Sequence, residues 1–348
     1  MTEAAALQPL LSRLAQGAEL TEAEAESVFE AIVAGAAFPA QIGAALMALA
    51  QRGESAGELT AAVRVMRRHM LPVAGHPEAI DCCGTGGDGH DTLNISTAVA
   101  FIVAACGVPV AKHGNRAASS RSGATDVLGA LGIGVPSPAE AERMLARHGL
   151  TFMFAPNHHP GTKAVGTIRR ELGFRTIFNL AGPLANPAGT MKQLVGVYDP
   201  RWLEPVAEAL HRLGSTSAWV VHGSDGLDEL TITGPSEVVI VASGGIARRT
   251  VTPEYAGLKR AALSDIQGGD PAYNAAALLR LLDGEAGPYR DIVLLNAAAA
   301  LVVAGKAPDL KAGAALAAAA IDGGQAGALL AALRQDMAGA GSASKVGA

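Results

Sequence analysis

Apolar positions in the first 70 residues recur at helical spacing, with few β-branched residues between them. The segment from Leu20 to Ala34 is one such predicted helix. It opens with Thr21 and Glu24, which together form a capping-box pattern at a helix start. Thr60 is a second candidate helix start. The strip 40–50 is apolar nearly all round, which suggests burial either inside its own lobe or against a second subunit. The pattern predicts a small all-helical lobe.

After the Pro- and Gly-containing segment 71–79, short β-rich runs alternate with helical ones. VPVAKHG, LTFMFAP, QLVGVYD and SAWVVHG are predicted strands, with helices over 138–148 and 200–213. Such alternation predicts an α/β lobe with a mainly parallel central sheet covered by helices on both faces. ELTITG and SEVVIVASGG are predicted to pair as a hairpin at one edge.

The segment 159–187 interrupts this alternation with two helical stretches, TKAVGTIRREL and IFNLAGPLA. We expect it to rejoin the N-terminal helices, which would make the helical lobe discontinuous in sequence. The predicted helical lobe therefore comprises residues 1–72 plus about 159–187, and the predicted α/β lobe residues 73–158 plus 188–337. The Gly-, Ala- and Ser-rich end, 338–348, is predicted to be a flexible tail.

Composition narrows the class of protein. The 348 residues are 49% hydrophobic and 17% charged, and the formal net charge of −5 gives no general attraction to nucleic acid or to an anionic membrane. Three cysteines without a pairing or zinc-binding pattern favour a reducing cytoplasm. The longest apolar run, 98–111, is shorter than the ~20 residues that cross a bilayer, and the N-terminus lacks a basic segment, so we expect neither membrane span nor signal peptide.

Two glycine-rich turns follow two of the predicted strands. The first glycine turn is GTGGDG, residues 84–89, and the second is KHGNR, residues 112–116. Because carboxyl ends of parallel strands meet at one edge of a sheet, the backbone N–H groups of both turns can point at a common anion. Lys112 and Arg116, followed by serines 119, 120 and 122, supply cations and hydroxyl groups for more than one phosphate. The pair predicts a site for a phosphate-rich sugar.

The first turn also matches G-x-G-x-x-G, so a nicotinamide dehydrogenase has to be considered. That motif requires a helix that begins at once and an acidic residue about 20 positions further on. Here HDTLNIS intervenes, and the next strand ends at Lys112. These departures disfavour the dinucleotide interpretation, and a Walker A motif does not occur.

The acidic pair Asp228 and Glu229 follows the strand SAWVVHG. Neighbouring carboxylates most often lie in a solvated turn. Mg²⁺, however, takes one or two carboxylates and completes its shell with waters and substrate phosphates. A polyphosphate site in an acidic chain needs such a bridge, so Asp228 and Glu229 are candidate metal ligands, with Ser96 as a possible hydroxyl ligand.

His158 and His159 precede two adjacent arginines, Arg169 and Arg170. Zinc is disfavoured because no third ligand lies at a suitable spacing. An arginine facing the site could bind a carboxylate with two hydrogen bonds, but spacing does not decide which of the two faces inward. His90 directly follows the first glycine turn. A histidine in such a loop is more often a flexible loop residue than a catalytic one.

The order of GTGGD, NIST, KHGNR, SSRSG, HHP, RRELGFRTIFNLAGPLANP and the Asp228–Glu229 pair resembles that of the anthranilate phosphoribosyltransferase family, from the N-terminal helices to about Gly305. The resemblance implies a helical lobe hinged to an α/β lobe and a homodimer formed through the helices. It implies Mg²⁺-dependent transfer of the 5-phosphoribosyl group from phosphoribosyl pyrophosphate to the amine of anthranilate, in the tryptophan pathway. N-(5-phosphoribosyl)anthranilate and pyrophosphate are the implied products, and no general base is implied.

The resemblance also implies roles for individual residues. Implied contacts to the phosphoribosyl donor are Gly84, Gly87, Asp88, Thr92, Asn94, Ile95, Ser96, Thr97, Lys112, His113, Gly114, Asn115, Arg116, Ala117, Ala118, Ser119, Ser120 and Ala124. Implied contacts to anthranilate are Gly84, His113, Asn115, His159 and Arg169, and the implied metal ligands are Ser96, Asp228 and Glu229. Two positions depart from the family pattern: Ala124 stands where a serine is common, and Gly161-Thr162 stand where Ala-Met is usual.

Two related alternatives remain at this point. A pyrimidine nucleoside phosphorylase shares the architecture, but KHGNR and the Asp228–Glu229 pair disfavour it. A non-catalytic relative that binds nucleic acid should carry a basic face, which the acidic balance of the chain disfavours.

Overall fold

The computed structural model describes residues 7–74, 76–115 and 122–343, except for the side chains at 164 and 339–343. The N-terminal helices are α1 (Gln8–Ala15), α2 (Glu22–Val33), α3 (Pro39–Arg52) and α4 (Ala56–His69). The predicted capping box of Thr21 and Glu24 opens α2. The prediction for Thr60 is wrong, because α4 begins earlier, at a capping box of Ser55 and Glu58. Only Ser55 has a glutamate three residues later, and Thr60 lies inside the helix.

The described residues contain one seven-stranded sheet in the order β3-β2-β1-β4-β5-β6-β7. Its strands are β1 (Ile80–Gly84), β2 (Val110–Gly114), β3 (Leu150–Phe154), β4 (Lys192–Gly196), β5 (Ser217–Gly223), β6 (Ser236–Ala242) and β7 (Gly245–Val251). The five strands β1 to β5 are parallel, whereas β6 and β7 are antiparallel to their neighbours. This arrangement confirms the predicted fold class.

The edge hairpin differs from the prediction. It is formed by β6 with β7, and ELTITG, residues 229–234, is not a strand. The backbone N–H of Leu230 donates to Asn296 Oδ1, and the hydroxyl groups of Thr231 and Thr233 donate to the Asp225 carboxylate. These side-chain bonds replace the ladder bonds that a strand would make.

Helices cover both faces of the sheet. After the first four they are α5 (Ile95–Ala105), α6 (Ala124–Ala130), α7 (Pro138–His148), α8 (Ala155–His158), α9 (Lys163–Leu172), α10 (Ile177–Leu184), α11 (Leu203–Arg212), α12 (Pro271–Leu282), α13 (Pro288–Val303), α14 (Leu310–Asp322) and α15 (Gln325–Ala343). The last helix continues to Ala343, into the stretch from 338 that was predicted to be a flexible tail. Leu330 and Leu333 anchor this helix in the core, and the alanines that follow favour its continuation. Residues 344–348 lie outside the described part.

The two faces of the sheet contribute to different apolar clusters. Ile80 and Leu194 point to one face, where they pack with α5 and with the C-terminal helices α12 to α15. Cys83 and Val195 point to the other face, where they join a cluster that continues into the N-terminal helices. Helix α9 contacts α3, and α10 contacts α4, so the segment 159–187 returns to those helices. The division of the chain into two lobes at the stated residues stays a prediction.

The chain reverses its direction of travel across the sheet between β1 and β4. Strands β2 and β3 lie on one side of β1, while β4, which follows them in sequence, lies on the other side. Such a switch point opens a crevice at the carboxyl ends of the two strands, which is where open α/β sheets bind ligands. Here β1 ends at Gly84 and β4 at Gly196.

No single helix in the described ranges has both the length and the apolar character to cross a membrane. Two consecutive helical stretches, Leu310–Asp322 and Gln325–Ala338, pass that test only together and are bent by 58° at their junction.

Candidate functional site

Both strands at the switch point end in glycine because the Asp228 loop passes directly over them. A Cβ on Gly84 would overlap the Asp228 carboxylate, and a Cβ on Gly196 would overlap the Asp228 backbone carbonyl. In the first glycine turn, the N–H of Gly86 donates to Asp228 Oδ2 at 2.7 Å. The structure therefore joins the first glycine turn to the acidic pair, which lies more than a hundred residues further along the sequence.

Asp88, Asp228 and Glu229 form what we call the acidic cluster. Burial, followed by repulsion from Asp88, raises the pKa of Asp228 to about 7. Burial, followed by repulsion from Asp228, raises the pKa of Glu229 to about 8. Acids held this closely together favour a cation between or beside them. In the described ranges no group of three or more His, Cys, Asp or Glu side chains is arranged to hold a metal ion.

Lys112 places a fixed positive charge beneath the acidic cluster. Its side chain is buried, and Nζ donates to the Cys82 carbonyl at 2.5 Å and to Ser96 Oγ at 3.2 Å. Ser96 also hydrogen-bonds Glu229, and both this bond and the Lys112 charge oppose the rise in the Glu229 pKa. The hydroxyl of Ser96 thus lies between the cation and the acid, where it can contribute an oxygen to a metal shell.

Asp225 shapes the loop that carries the acidic pair. Its Oδ2 accepts hydrogen bonds from Thr231 Oγ1 at 2.5 Å and from Thr233 Oγ1 at 2.8 Å, and its Oδ1 accepts from the Leu227 N–H at 3.3 Å. Sequence reasoning assigned no role to Asp225. The signal was present in the T-x-T pattern that follows DGLDE, because paired hydroxyl groups near an aspartate often close a turn.

The start of α5 faces the same crevice. Asn94 precedes the helix, and its Oδ1 accepts a hydrogen bond from Asn274 at 2.8 Å, while its backbone carbonyl accepts one from Tyr289 at 3.2 Å. The side chains of Ile95 and Thr97 are buried, so these two residues can offer a ligand only backbone groups. Thr92 is held in an isolated bridge with Gln267. The helix start is therefore fixed from several elements.

His113 and His159 meet on the side of the crevice that is formed by the segment 159–187. Their rings, which we call the imidazole pair, lie 5.2 Å apart between centroids and are tilted by 50°. His113 Nδ1 lies 3.0 Å from the Gly182 carbonyl and donates to it, which leaves Nε2 as the acceptor. The Nε2 atoms of both rings are buried and have no hydrogen-bond partner within the described residues.

Burial keeps the imidazole pair neutral. Burial first, and then the neighbouring histidines, lower the pKa of His113 to about 3 and that of His159 to about 4. Asp81, which is fully buried, accepts the His113 backbone N–H at 3.2 Å and Asn186 Nδ2 at 2.7 Å. At physiological pH the pair therefore offers uncharged acceptor nitrogens and weak basicity.

The geometry separates the two adjacent arginines. Arg169 is half-buried, and its Nη2 donates to Asn179 Oδ1 at 3.0 Å, with the guanidinium 5.8 Å from the centre of the Phe178 ring. Burial lowers its pKa. Arg170 is exposed and, among the residues that the structure describes, bonds only within its own helix, to the Gly166 carbonyl and Thr167 Oγ1. Arg169 therefore faces the interior of the segment, although its binding role stays a prediction.

The second glycine turn is described as far as Asn115. Arg116, Ala117, Ala118, Ser119 and Ser120 lie outside the described residues. Gly114 and Asn115 end the described stretch before them, and Ala124 opens α6, where its methyl group lies 3.9 Å from the position of a Cβ on Gly114. The structure thus brings Gly84, Asp88, Ser96, Lys112, Asp228 and Glu229 together at the switch point.

Comparisons with known proteins agree over nearly the whole chain. Residues 8–70 match the family described as "Glycosyl transferase family, helical bundle domain", and residues 76–327 match "Glycosyl transferase family, a/b domain". The chain is 59% identical to anthranilate phosphoribosyltransferase of Methylocella silvestris, over 93% of each chain. It is 56% identical to the enzyme of Beijerinckia indica, over 94% of this chain and 96% of that one.

Solved structures give the same result. The fold is similar to that of anthranilate phosphoribosyltransferase from Thermus thermophilus, with a TM-score of 0.89, 44% identity and coverage of 97% of this chain and 99% of that one. It is also similar to the enzyme from Saccharomyces cerevisiae in complex with phosphoribosyl pyrophosphate and Mg, with a TM-score of 0.88, 26% identity and coverage of 96% and 98%.

Proposed function

The chain belongs to the anthranilate phosphoribosyltransferase family, and from that premise we propose that the acidic cluster and the imidazole pair, with Arg169, bind the two substrates. The enzyme transfers the 5-phosphoribosyl group of phosphoribosyl pyrophosphate to the amine of anthranilate and releases pyrophosphate. The observation that carries the assignment is the position of the acidic cluster at the switch point, directly over the first glycine turn.

The donor binds at the ends of β1 and β2. Backbone N–H groups at Gly84 and Gly87 and at the start of α5, from Asn94 to Thr97, face its phosphates, together with Lys112. Asp88 and Thr92, and His113, Gly114, Asn115 and Ala124 around the second turn, complete this side. Asp228, Glu229 and Ser96 would hold Mg²⁺, because the acids repel one another and a cation would relieve that repulsion. When bound, the metal neutralises the negative charge that develops on the leaving pyrophosphate.

Arg169 binds the carboxylate of anthranilate. A half-buried guanidinium interacts more strongly with a carboxylate than an exposed one, because less water competes for it. Gly84, Asn115, His113 and His159 line the remaining space and orient the amine toward the ribose. Orientation of this kind can contribute several kcal/mol to catalysis.

The chain needs no strong general base. The neutral amine of anthranilate can attack the ribose carbon directly, and it becomes acidic only after the new bond has formed. The imidazole pair fits this scheme, because rings with pKa values of about 3 and about 4 accept hydrogen bonds without removing a proton in advance.

The exposed side of α3 suggests a homodimer. Ile42, Leu46 and Leu49 are buried within the chain, whereas Met47 on the same helix and Phe38 directly before it are 50% and 64% exposed. We propose that a second copy covers these side chains and that the two lobes close over the substrates. The protein is proposed to act in the cytoplasm. Light scattering coupled to size-exclusion chromatography tests the dimer directly, with Met47→Glu as the variant expected to be monomeric.

The fluorescence of anthranilate provides the test of the proposed site. We expect consumption of anthranilate only when phosphoribosyl pyrophosphate and Mg²⁺ are both present, and chelation of the metal should stop it. Release of thymine from thymidine and phosphate, without consumption of anthranilate, would instead identify a nucleoside phosphorylase and overturn the assignment.

A further inference from the structure

Arg175 connects the segment 159–187 to the first glycine turn. It lies in the link between α9 and α10, and its Nη2 donates to the Gly87 carbonyl. Its Nε would lie 3.2 Å from a Cβ on Gly87, so the approach is close enough to favour glycine at that position. Gly87 also has a φ of +78°, which L side chains rarely adopt. The contact joins two parts of the crevice that are distant in sequence.

Tyr198 fixes the direction of the Arg175 side chain. Tyr198 lies shortly after the end of β4. The guanidinium carbon of Arg175 lies 4.0 Å from the centre of the Tyr198 ring. The N–H of Tyr198 donates to Thr85 Oγ1 at 3.0 Å, and the N–H of Thr85 donates to the Gly196 carbonyl at 2.9 Å. A planar guanidinium can stack on a ring and still use its edge N–H groups, which an ammonium cannot do. The ring therefore holds Arg175 in the orientation that reaches Gly87.

The first glycine turn needs such a tether. Gly86, Gly87 and Gly89 all have positive φ, and glycine loses more backbone freedom on ordering than any other residue. The turn carries Asp88 of the acidic cluster, as well as the Gly86 N–H that binds Asp228. A turn that is already held in place loses less conformational entropy when a ligand binds to it.

We propose that Arg175 is a positioning residue that orders the first glycine turn before the phosphoribosyl donor binds, and so links the acceptor segment to the donor site. The proposal rests on the proposed function, because it takes this turn as part of the donor site. Arg175 acts on the donor through the turn and does not itself contact it.

The kinetic test compares Arg175→Ala with Arg170→Ala, a matched control on the same segment whose described hydrogen bonds all lie within its own helix. For Arg175→Ala we expect the KM for phosphoribosyl pyrophosphate to rise about tenfold, as for loss of one hydrogen bond from a charged group. The KM for anthranilate and the melting temperature should stay near the wild-type values, and Arg170→Ala should resemble the wild type. Arg175→Lys should share the defect, because it keeps the charge but loses the planar fork.

Hydrogen exchange of the ligand-free protein separates positioning from direct contact. Amides of residues 84–89 should exchange faster in Arg175→Ala and in Arg175→Lys than in the wild type or in Arg170→Ala. Unchanged exchange would overturn the proposal, because any rise in the KM for the donor would then come from direct contact. A rise confined to the KM for anthranilate would also overturn it. Failure of the proposed function would appear separately, as retained Mg²⁺ dependence in the variant Asp228→Asn with Glu229→Gln.

Discussion

The acidic cluster and the imidazole pair lie on two sides of one crevice and have opposite electrostatic character. In the acidic cluster, burial and mutual repulsion raise the pKa values of Asp228 and Glu229, so negative charge is held there at a cost. In the imidazole pair, burial lowers the pKa values of His113 and His159, so positive charge is excluded. Arg169 nearby keeps the positive charge of a guanidinium in a half-buried position.

The difference indicates what each side needs to bind. The acids require a cation, which in turn binds phosphate oxygens, whereas Arg169 requires an anion and the imidazole pair requires a hydrogen-bond donor. A magnesium-bound sugar diphosphate meets the first need, and an aromatic amino acid with a carboxylate and an amine meets the second. Under the proposed function, each substrate would supply the charge or hydrogen-bond donor that its own group of residues lacks.

The largest effect should come from removing the charge of the acidic cluster. For Asp228→Asn with Glu229→Gln we expect kcat to fall at least about a hundredfold, because stabilisation of charge on the leaving group is lost. Initial rates measured against MgCl₂ concentration should show a weak response to the metal. Glu285→Gln, which removes an exposed acid that pairs with Arg280, is the control and should behave as the wild type. Wild-type rates in the double variant would contradict the metal assignment.

A smaller effect should follow loss of the positive charge beside the imidazole pair. Arg169→Ala should raise the KM for anthranilate by roughly ten- to a hundredfold, because a charge-assisted bond to the carboxylate is removed, and should leave the KM for the donor near its wild-type value. Steady-state kinetics with each substrate varied in turn measures both constants. An equal change in both would mean that Arg169 supports the fold rather than the acceptor.

The smallest effect should be a change in the pH dependence of stability. Folding depresses the pKa values of His113 and His159 below 6.5, so the stability linked to the neutral rings is complete above pH 6.5 and is lost as pH falls toward 4. At pH 5 each ring should lower the free energy of unfolding by up to about 2 kcal/mol. Asp81, Asp228 and Glu229, whose pKa values burial raises to about 6, 7 and 8, act in the opposite direction in every variant compared, while Lys112 and His158 near the pair oppose its protonation.

Thermal unfolding of the ligand-free protein between pH 7 and pH 5 tests this expectation. On going from pH 7 to pH 5 the melting temperature of His159→Gln should fall less, or rise more, than that of the wild type, by several degrees. His211→Gln, which changes an exposed histidine on α11, should follow the wild type. An identical change in all three proteins would show that the imidazole pair is charged or solvated in the folded state.

Local sequence patterns were enough to predict many elements. The alternation of strands and helices predicted the parallel sheet, and the Thr21–Glu24 box predicted the start of α2. Two predictions were wrong because they used only part of the local pattern. Thr60 has no glutamate three residues later, and ELTITG carries hydroxyl groups that bind Asp225 in place of a neighbouring strand.

The sequence by itself determined the residue types of the site, because glycines, hydroxyl groups, cations and acids at strand ends are visible in the order of the chain. Only the tertiary structure decided which of them meet. Asp228 lies over Gly84 and Gly196, and Arg175 reaches Gly87, whereas Arg169 was already implied by the family resemblance and its half-buried position agrees with that. These contacts depend on the crossing from β3 to β4 and on the return of the segment 159–187 to the N-terminal helices. Local periodicity reports one element at a time, whereas the pKa shifts and the approach of distant side chains arise from burial that many elements create together.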